Sequence, residues 1–146
     1  MNGKELVILL ADDDLDDCLL FKDALAELSF PSRLITVPNG EKLMQLLYDT
    51  VELPDLLFLD LNMPRKNGLE CLLEIKQTEK FKKIPVITLS TSFEKDIVAR
   101  IYQNGAQYYI RKPNNFSQLK HLLLSAIKLA AQTNLGQPEK ENFVIS

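Results

Sequence analysis

The sequence predicts a doubly wound α/β fold, with one five-stranded parallel sheet carrying helices on both faces. Five short apolar runs, Leu6 to Ala11, Leu34 to Val37, Leu56 to Leu59, Val86 to Leu89 and Tyr108 to Ile110, alternate with longer stretches of helical period. Runs that are apolar at nearly every position suit strands covered on both faces, as in parallel sheets, and βα units with right-handed crossovers then place helices on either side. The length of 146 residues fits one domain. A hydrophobic share of 46% with 25% charged residues supports a sizeable core.

The elements follow in order. After the first strand, Cys18, Phe21, Leu25 and Leu28 recur at three- and four-residue spacing and predict the first helix. Asn39-Gly40 opens the second helix, whose apolar residues are Leu43, Leu46 and Leu47, and Asn67-Gly68 opens the third. Asn104-Gly105 closes the fourth, where a left-handed residue commonly ends a helix. In the last helix Phe116, Leu119, Leu123, Ala126, Ile127 and Ala130 form one broad stripe, with Asn114 or Asn115 as its cap. Leu122, Leu123 and Leu124 are consecutive and span about 200°, so at least one is expected outside the core. Leu129 lies nearly above Leu122 and would extend an exposed strip; the alternative is a wide buried stripe covered by the tail. Residues 1–132 are taken as the domain. The segment 133–146, which begins Thr-Asn-Leu-Gly-Gln-Pro and turns charged, is expected to be a mobile tail.

A net charge of −3 and pI near 5.2 give no excess positive field, so neither nucleic acid nor a membrane surface is an expected partner. No apolar stretch approaches a spanning length, and the first residues do not resemble a secretory signal. Cys18 and Cys71 are too few and too far apart for a disulfide framework or a metal knuckle, which fits a reducing cytoplasm and small buried roles. His121, the single histidine, is expected on a wet helix face.

In this fold class ligands bind at the carboxyl ends of the strands. Those ends carry Asp12, Asp13 and Asp14 after the first strand, Asp60 at the third, Ser90 and Thr91 at the fourth and Lys112 after the fifth. Taken alone, the acidic run from Asp12 to Asp17 is equally well a solvated helix start, where acids favour the helix dipole. Carboxylates gathered at one rim repel one another unless a cation compensates them, and a hard, oxygen-seeking ion such as Mg²⁺ suits them. Asp60 is the best nucleophile candidate, since it ends an otherwise apolar strand. With a metal, a hydroxyl and an ammonium nearby, it predicts phosphoryl transfer to a carboxylate.

Four motifs stand in order: Leu-Leu-Ala-Asp-Asp at 9 to 13, Leu-Phe-Leu-Asp-Leu-Asn-Met-Pro at 57 to 64 followed by Gly68, Pro-Val-Ile-Thr-Leu-Ser at 85 to 90, and Lys112-Pro113. From Val7 to about Ala131 the chain resembles the receiver domains of two-component response regulators, in a stand-alone, CheY-like form. The resemblance implies the flavodoxin-like strand order 2-1-3-4-5, phosphorylation of Asp60, and Mg²⁺ held by Asp12, Asp13, Asp60 and the backbone carbonyl of Asn62. It makes Ser90 the switching hydroxyl, Lys112 the phosphate-pairing cation and Tyr109 the switch aromatic, with Tyr108 facing the other way. It also implies a cis Lys112–Pro113 bond. Ser90 stands where Thr is commoner, and Thr91 where a small residue is usual.

The phosphodonor would be a histidine kinase or a histidine phosphotransfer protein. The core from Asp60 to Lys66 is similar to that of single-domain regulators paired with phytochrome-type kinases. Activation is expected to rearrange the face of the fourth helix, fifth strand and fifth helix, through which the chain would pair with itself or a target. Two adjacent acids rarely both reach one small octahedral ion, so Asp13 is expected to contact the metal and Asp12 to act through water. Asp14, Asp16 and Asp17 are expected to be dispensable. A phosphohydrolase of the haloacid-dehalogenase type is disfavoured, because such enzymes carry Asp-x-Asp on the first strand and Asn62 cannot serve as a general acid. A module that has lost phosphorylation is disfavoured by the complete residue set.

Overall fold

The computed structural model describes residues 5–92, 94–132 and 137–145. They form β1 (Leu6–Ala11), α1 (Leu15–Ala26), β2 (Ser32–Val37), α2 (Gly40–Asp49), β3 (Leu56–Asp60), α3 (Gly68–Gln77), β4 (Val86–Ser90), α4 (Lys95–Gln103), β5 (Tyr108–Arg111), α5 (Phe116–Gln132), a short 3₁₀ turn (Lys140–Asn142) and β6 (Val144–Ile145). All strand pairs are parallel, in the order β2-β1-β3-β4-β5-β6. The expected order 2-1-3-4-5 is therefore present, with a sixth strand added beyond β5.

Side chains alternate across a strand, so each strand feeds two cores. Leu9, Ala11, Leu57, Leu59, Val86 and Tyr109 point to the layer of α2, α3 and α4. Ile8, Leu10, Phe58, Ile87, Leu89 and Tyr108 point to the layer of α1 and α5. Tyr108 and Tyr109 thus face opposite ways, as their spacing requires. Cys71 is fully buried in the first of these cores. Cys18 lies at the edge of the second, and His121 is exposed.

The helix starts follow from their caps. Asn39 Oδ1 accepts from Lys42 N at 2.8 Å, and Asn67 with Glu70 forms a reciprocal capping box at the head of α3. Asn115 rather than Asn114 caps α5, accepting from Gln118 N at 2.8 Å. Gly105, at φ 99°, supplies the left-handed residue after α4.

The expectation of a mobile tail is corrected over 137–145; residues 133–136 and Ser146 lie outside the described residues. The segment returns to the sheet edge, where Tyr109 N donates to Phe143 O at 3.1 Å and β6 pairs with β5. Phe143 is buried, its ring 4.9 Å from that of Tyr102 and 6.3 Å from that of Tyr109. Tyr102 Oη donates to Pro138 O, and the Gln137 amide donates to the carbonyls of Tyr102 and Ala106. The apolar run Phe143-Val144-Ile145 offsets the cost of ordering a polar segment by burying its ring and one strand face.

The same segment settles the fate of the three consecutive leucines. Leu122 and Leu123 are both buried and Leu124 is intermediate, so the exposed strip expected on Leu122 is absent. Ile145 joins the core under α5 together with Leu122, and the stripe on α5 is wide because the sheet beneath it is one strand wider than expected.

Candidate functional site

The parallel register brings the strand ends to one rim. Ala11 pairs with Leu59, Asp60 with Leu89, and Ser90 with Arg111, so the residues just beyond these rungs converge. Asp12 is fixed at the end of β1, its N–H donating to Val37 O at 3.1 Å and its Oδ1 accepting from Asp14 N at 3.0 Å. It is buried, whereas Asp13 is exposed. Asp60 is the last residue of β3, 4% exposed, and its Oδ1 accepts from Asn62 N at 3.3 Å. One carboxylate oxygen each of Asp12, Asp13 and Asp60 lies within 4.8 Å of the others.

Glycine at position 68 is a condition of this geometry. A Cβ there would fall 2.4 Å from the carbonyl oxygen of Asp60, so only glycine lets α3 start so close to the end of β3.

Lys112 is set by the last rung of β5, where its N–H donates to Ser90 O at 2.9 Å. The Lys112–Pro113 bond is trans, so the cis geometry implied by the resemblance is absent; the rung with Ser90 aims the loop instead. The Lys112 Nζ lies 2.9 Å from Asp17 Oδ2, 3.1 Å from Asp12 Oδ2 and 3.6 Å from Asp60 Oδ2. Burial works against its charge, but Asp17, Asp60 and Asp12 outweigh that and push its pKa up. Asp60 moves the other way in charge terms. Burial lifts its pKa from 3.8 to about 6; Lys112 pulls it down and Asp12 pushes it up.

That balance bears on metal binding. Three carboxylates cluster there, the two buried ones, Asp12 and Asp60, share the Lys112 ammonium with Asp17, and burial already disfavours ionised Asp60. The donor set is all oxygen and carries excess negative charge, which fits a hard divalent cation and not a soft one.

Ser90 and Tyr109 meet through one residue. Ser90 Oγ accepts from Ser92 N at 3.0 Å, while Tyr109 Oη donates to Ser92 O at 2.8 Å. Both side chains are buried, and burial raises the Tyr109 pKa. A rotation of Ser90 would release the Ser92 N–H and disturb the loop that Tyr109 grips. Thr91 and Asn62 are exposed beside the rim.

The structure therefore gathers Asp12, Asp13, Asp60, Ser90 and Lys112, with Tyr109 one hydrogen-bonded residue away. Two of the acids expected to be dispensable have contacts. Asp14 is the cap of α1, accepting from Asp16 N and Asp17 N, and Asp17 is the nearest carboxylate to Lys112. No local pattern marks Asp17, because its partner is 95 residues away. Burial raises the Cys18 thiol to about 11, with Asp12 adding to the shift.

Comparison with known proteins agrees with this geometry. The profile of the response regulator receiver domain matches residues 8–124. The chain is 36% identical over 118 residues to the response regulator Rcp1 of Synechocystis sp., covering 77% of this chain and 80% of that protein. Among solved structures, the phosphorylated cyanobacterial phytochrome response regulator RcpA superposes with a TM-score of 0.82 at 36% identity, over 89% of this chain and 96% of that one. The Mn²⁺-bound form of Rcp1 superposes with a TM-score of 0.77 at 32% identity, covering 91% and 99%.

Proposed function

The chain belongs to the response regulator receiver family, a family of phosphoacceptor signalling domains, and on that premise we propose that Asp60 is its phosphoacceptor. The carrying observation is the buried carboxylate of Asp60 at the end of β3, with the Lys112 ammonium 3.6 Å away and two further carboxylates at hand. A carboxylate oxygen of Asp60 attacks the phosphorus of a phosphohistidine donor; the new O–P bond forms as the N–P bond breaks, and the imidazole leaves with the electron pair. Asp12, Asp13, Asp60 and the Asn62 carbonyl would hold Mg²⁺, which would supply neutralisation of the charge on the transferring oxygens. Lys112 pairs with a phosphoryl oxygen, and Ser90 turns its hydroxyl toward another. The chain promotes only its own phosphorylation and dephosphorylation.

The donor is a histidine kinase or histidine phosphotransfer protein, and the likeness to the phytochrome response regulator RcpA favours a phytochrome-type kinase. Leu15, Leu19 and Leu20 on α1 are 77%, 56% and 46% exposed beside the acidic rim, which gives the donor an apolar surface next to Asp60. No helix among the described residues is long and apolar enough to cross a membrane. The reading sets the chain in the cytoplasm, where nucleotide charges such kinases. Output runs through Ser90, Ser92 and Tyr109 to the face of α4, β5 and α5, with β6 at its edge, on which a target or a second copy docks.

Intact mass after incubation with acetyl phosphate and Mg²⁺ tests the assignment. One phosphoryl adduct is expected on the wild type and none on Asp60→Asn; an adduct at the wild-type level in that variant would refute it.

A further inference from the structure

The ammonium expected to serve the phosphoryl group is held elsewhere in this chain. Lys112 has three donors. Two are engaged within hydrogen-bond distance, by Asp17 Oδ2 at 2.9 Å and Asp12 Oδ2 at 3.1 Å, while Asp60 Oδ2 at 3.6 Å lies beyond it. Asp17 is no loose surface acid. It sits in the first turn of α1 with its N–H bonded to the cap Asp14 at 3.1 Å, so its carboxylate stands on a fixed arm. The side chain of Lys112 is 18% exposed and that of Asp17 40% exposed, so the pair is shielded on one side and wet on the other.

We propose that Asp17 is a positioning residue that holds Lys112 on α1 in the resting chain and thereby weakens the grip of the site on a phosphoryl group at Asp60. The proposal rests on Asp60 as phosphoacceptor and Lys112 as its counter-ion. A phosphoryl group brings about −1.5 to −2 charges to Asp60, and both it and Asp17 draw on the same ammonium. Lys112 also borders a cavity of about 170 Å³ between α1 and α5, walled by Phe21, Leu89, Phe116 and Leu119. Asp12 and Asp17, the two acids that hold the ammonium, line the same cavity. Asp16, in the same turn, has no such side-chain contact in the hydrogen bonds and ion pairs of the described residues and serves as the matched control.

The test is binding of beryllofluoride, a phosphoryl mimic, with saturating Mg²⁺ at low salt, in the wild type, Asp17→Asn, Asp16→Asn, Lys112→Ala and the double variant Asp17→Asn/Lys112→Ala. Losing a half-exposed competing ion pair should tighten beryllofluoride about two- to fivefold in Asp17→Asn. Asp16→Asn should stay at the wild-type affinity, and the gain should vanish when Lys112 is already absent. Unchanged or weaker binding in Asp17→Asn overturns the proposal, as does an equal gain in Asp16→Asn or a gain that persists without Lys112. A wild type that takes no beryllofluoride overturns the receiver reading itself; normal wild-type binding with a flat Asp17→Asn overturns only the role of Asp17.

Discussion

Asp60→Asn should make the metal-free protein more stable. The pKa of Asp60 is raised from 3.8 to about 6 in the folded chain, chiefly by burial and despite the attraction of Lys112. A raised acid pKa means that the folded state holds its proton more tightly than the unfolded state. Below the unfolded value both states are protonated and nothing is lost. As pH rises from about 4 to about 6 the fold gives up stability, and above that the loss is complete, at roughly 3 kcal/mol. Asparagine keeps the shape without the charge, and Lys112 retains Asp12 and Asp17. Urea unfolding without divalent metal is therefore expected to show the variant more stable by roughly 3 kcal/mol at pH 7.5 and by about half that at pH 5. Adding Mg²⁺ should narrow the gap by stabilising the wild type selectively. A variant no more stable than wild type at pH 7.5, or a gap that does not change with pH, would show that the buried charge is not the source of strain.

Asp13→Ala should lose most of the Mg²⁺ affinity measured by calorimetric titration while Asp16→Ala keeps it, because Asp13 shares the carboxylate cluster and Asp16 does not; equal losses would refute that division. Phe143→Ala should cost about 3 kcal/mol in urea unfolding, the low end for a buried aromatic because β6 has only two rungs, and should speed hydrogen exchange at the Tyr109 amide. A cost under about 1 kcal/mol would mean that the segment contributes little to the fold.

What could be read from the sequence divides along a physical line. β1, β3, β4 and most of β5 were legible because their residues are buried on both faces, and β2, whose residues are half-buried or exposed, through its apolar Leu34, Ile35 and Val37; these five strands exceed the apolar runs only by polar residues such as Ser32, Asp60, Ser90 and Arg111, where backbone pairing continues past the core. Asp60 stood out for the opposite reason, as an acid closing an otherwise apolar strand. The caps were legible because a cap and its helix are neighbours in the chain. Asp17 and Phe143 escaped because their partners are distant: Asp17 looks like any acid of a helix start until Lys112 is brought back 95 residues later, and Phe143 follows a charged stretch that resembles a tail. The trans Lys112–Pro113 bond and the buried Leu122 were misjudged likewise, one by analogy and one by assuming that β5 was the last strand.

The sixth strand changes what activation would have to do. With β5 at the sheet edge, a switching Tyr109 could meet a partner directly. Here its backbone N–H is taken by Phe143, its ring packs against Phe143, and its hydroxyl is taken by Ser92. Any change at Ser90 that moves Ser92 therefore pulls on a tyrosine whose other side is clamped by the segment at 137–145. Coupling requires an element with two arrangements that the site can bias. A switch at Tyr109 would therefore have to include β6 as well, because Tyr109 cannot leave its position without breaking its packing on Phe143.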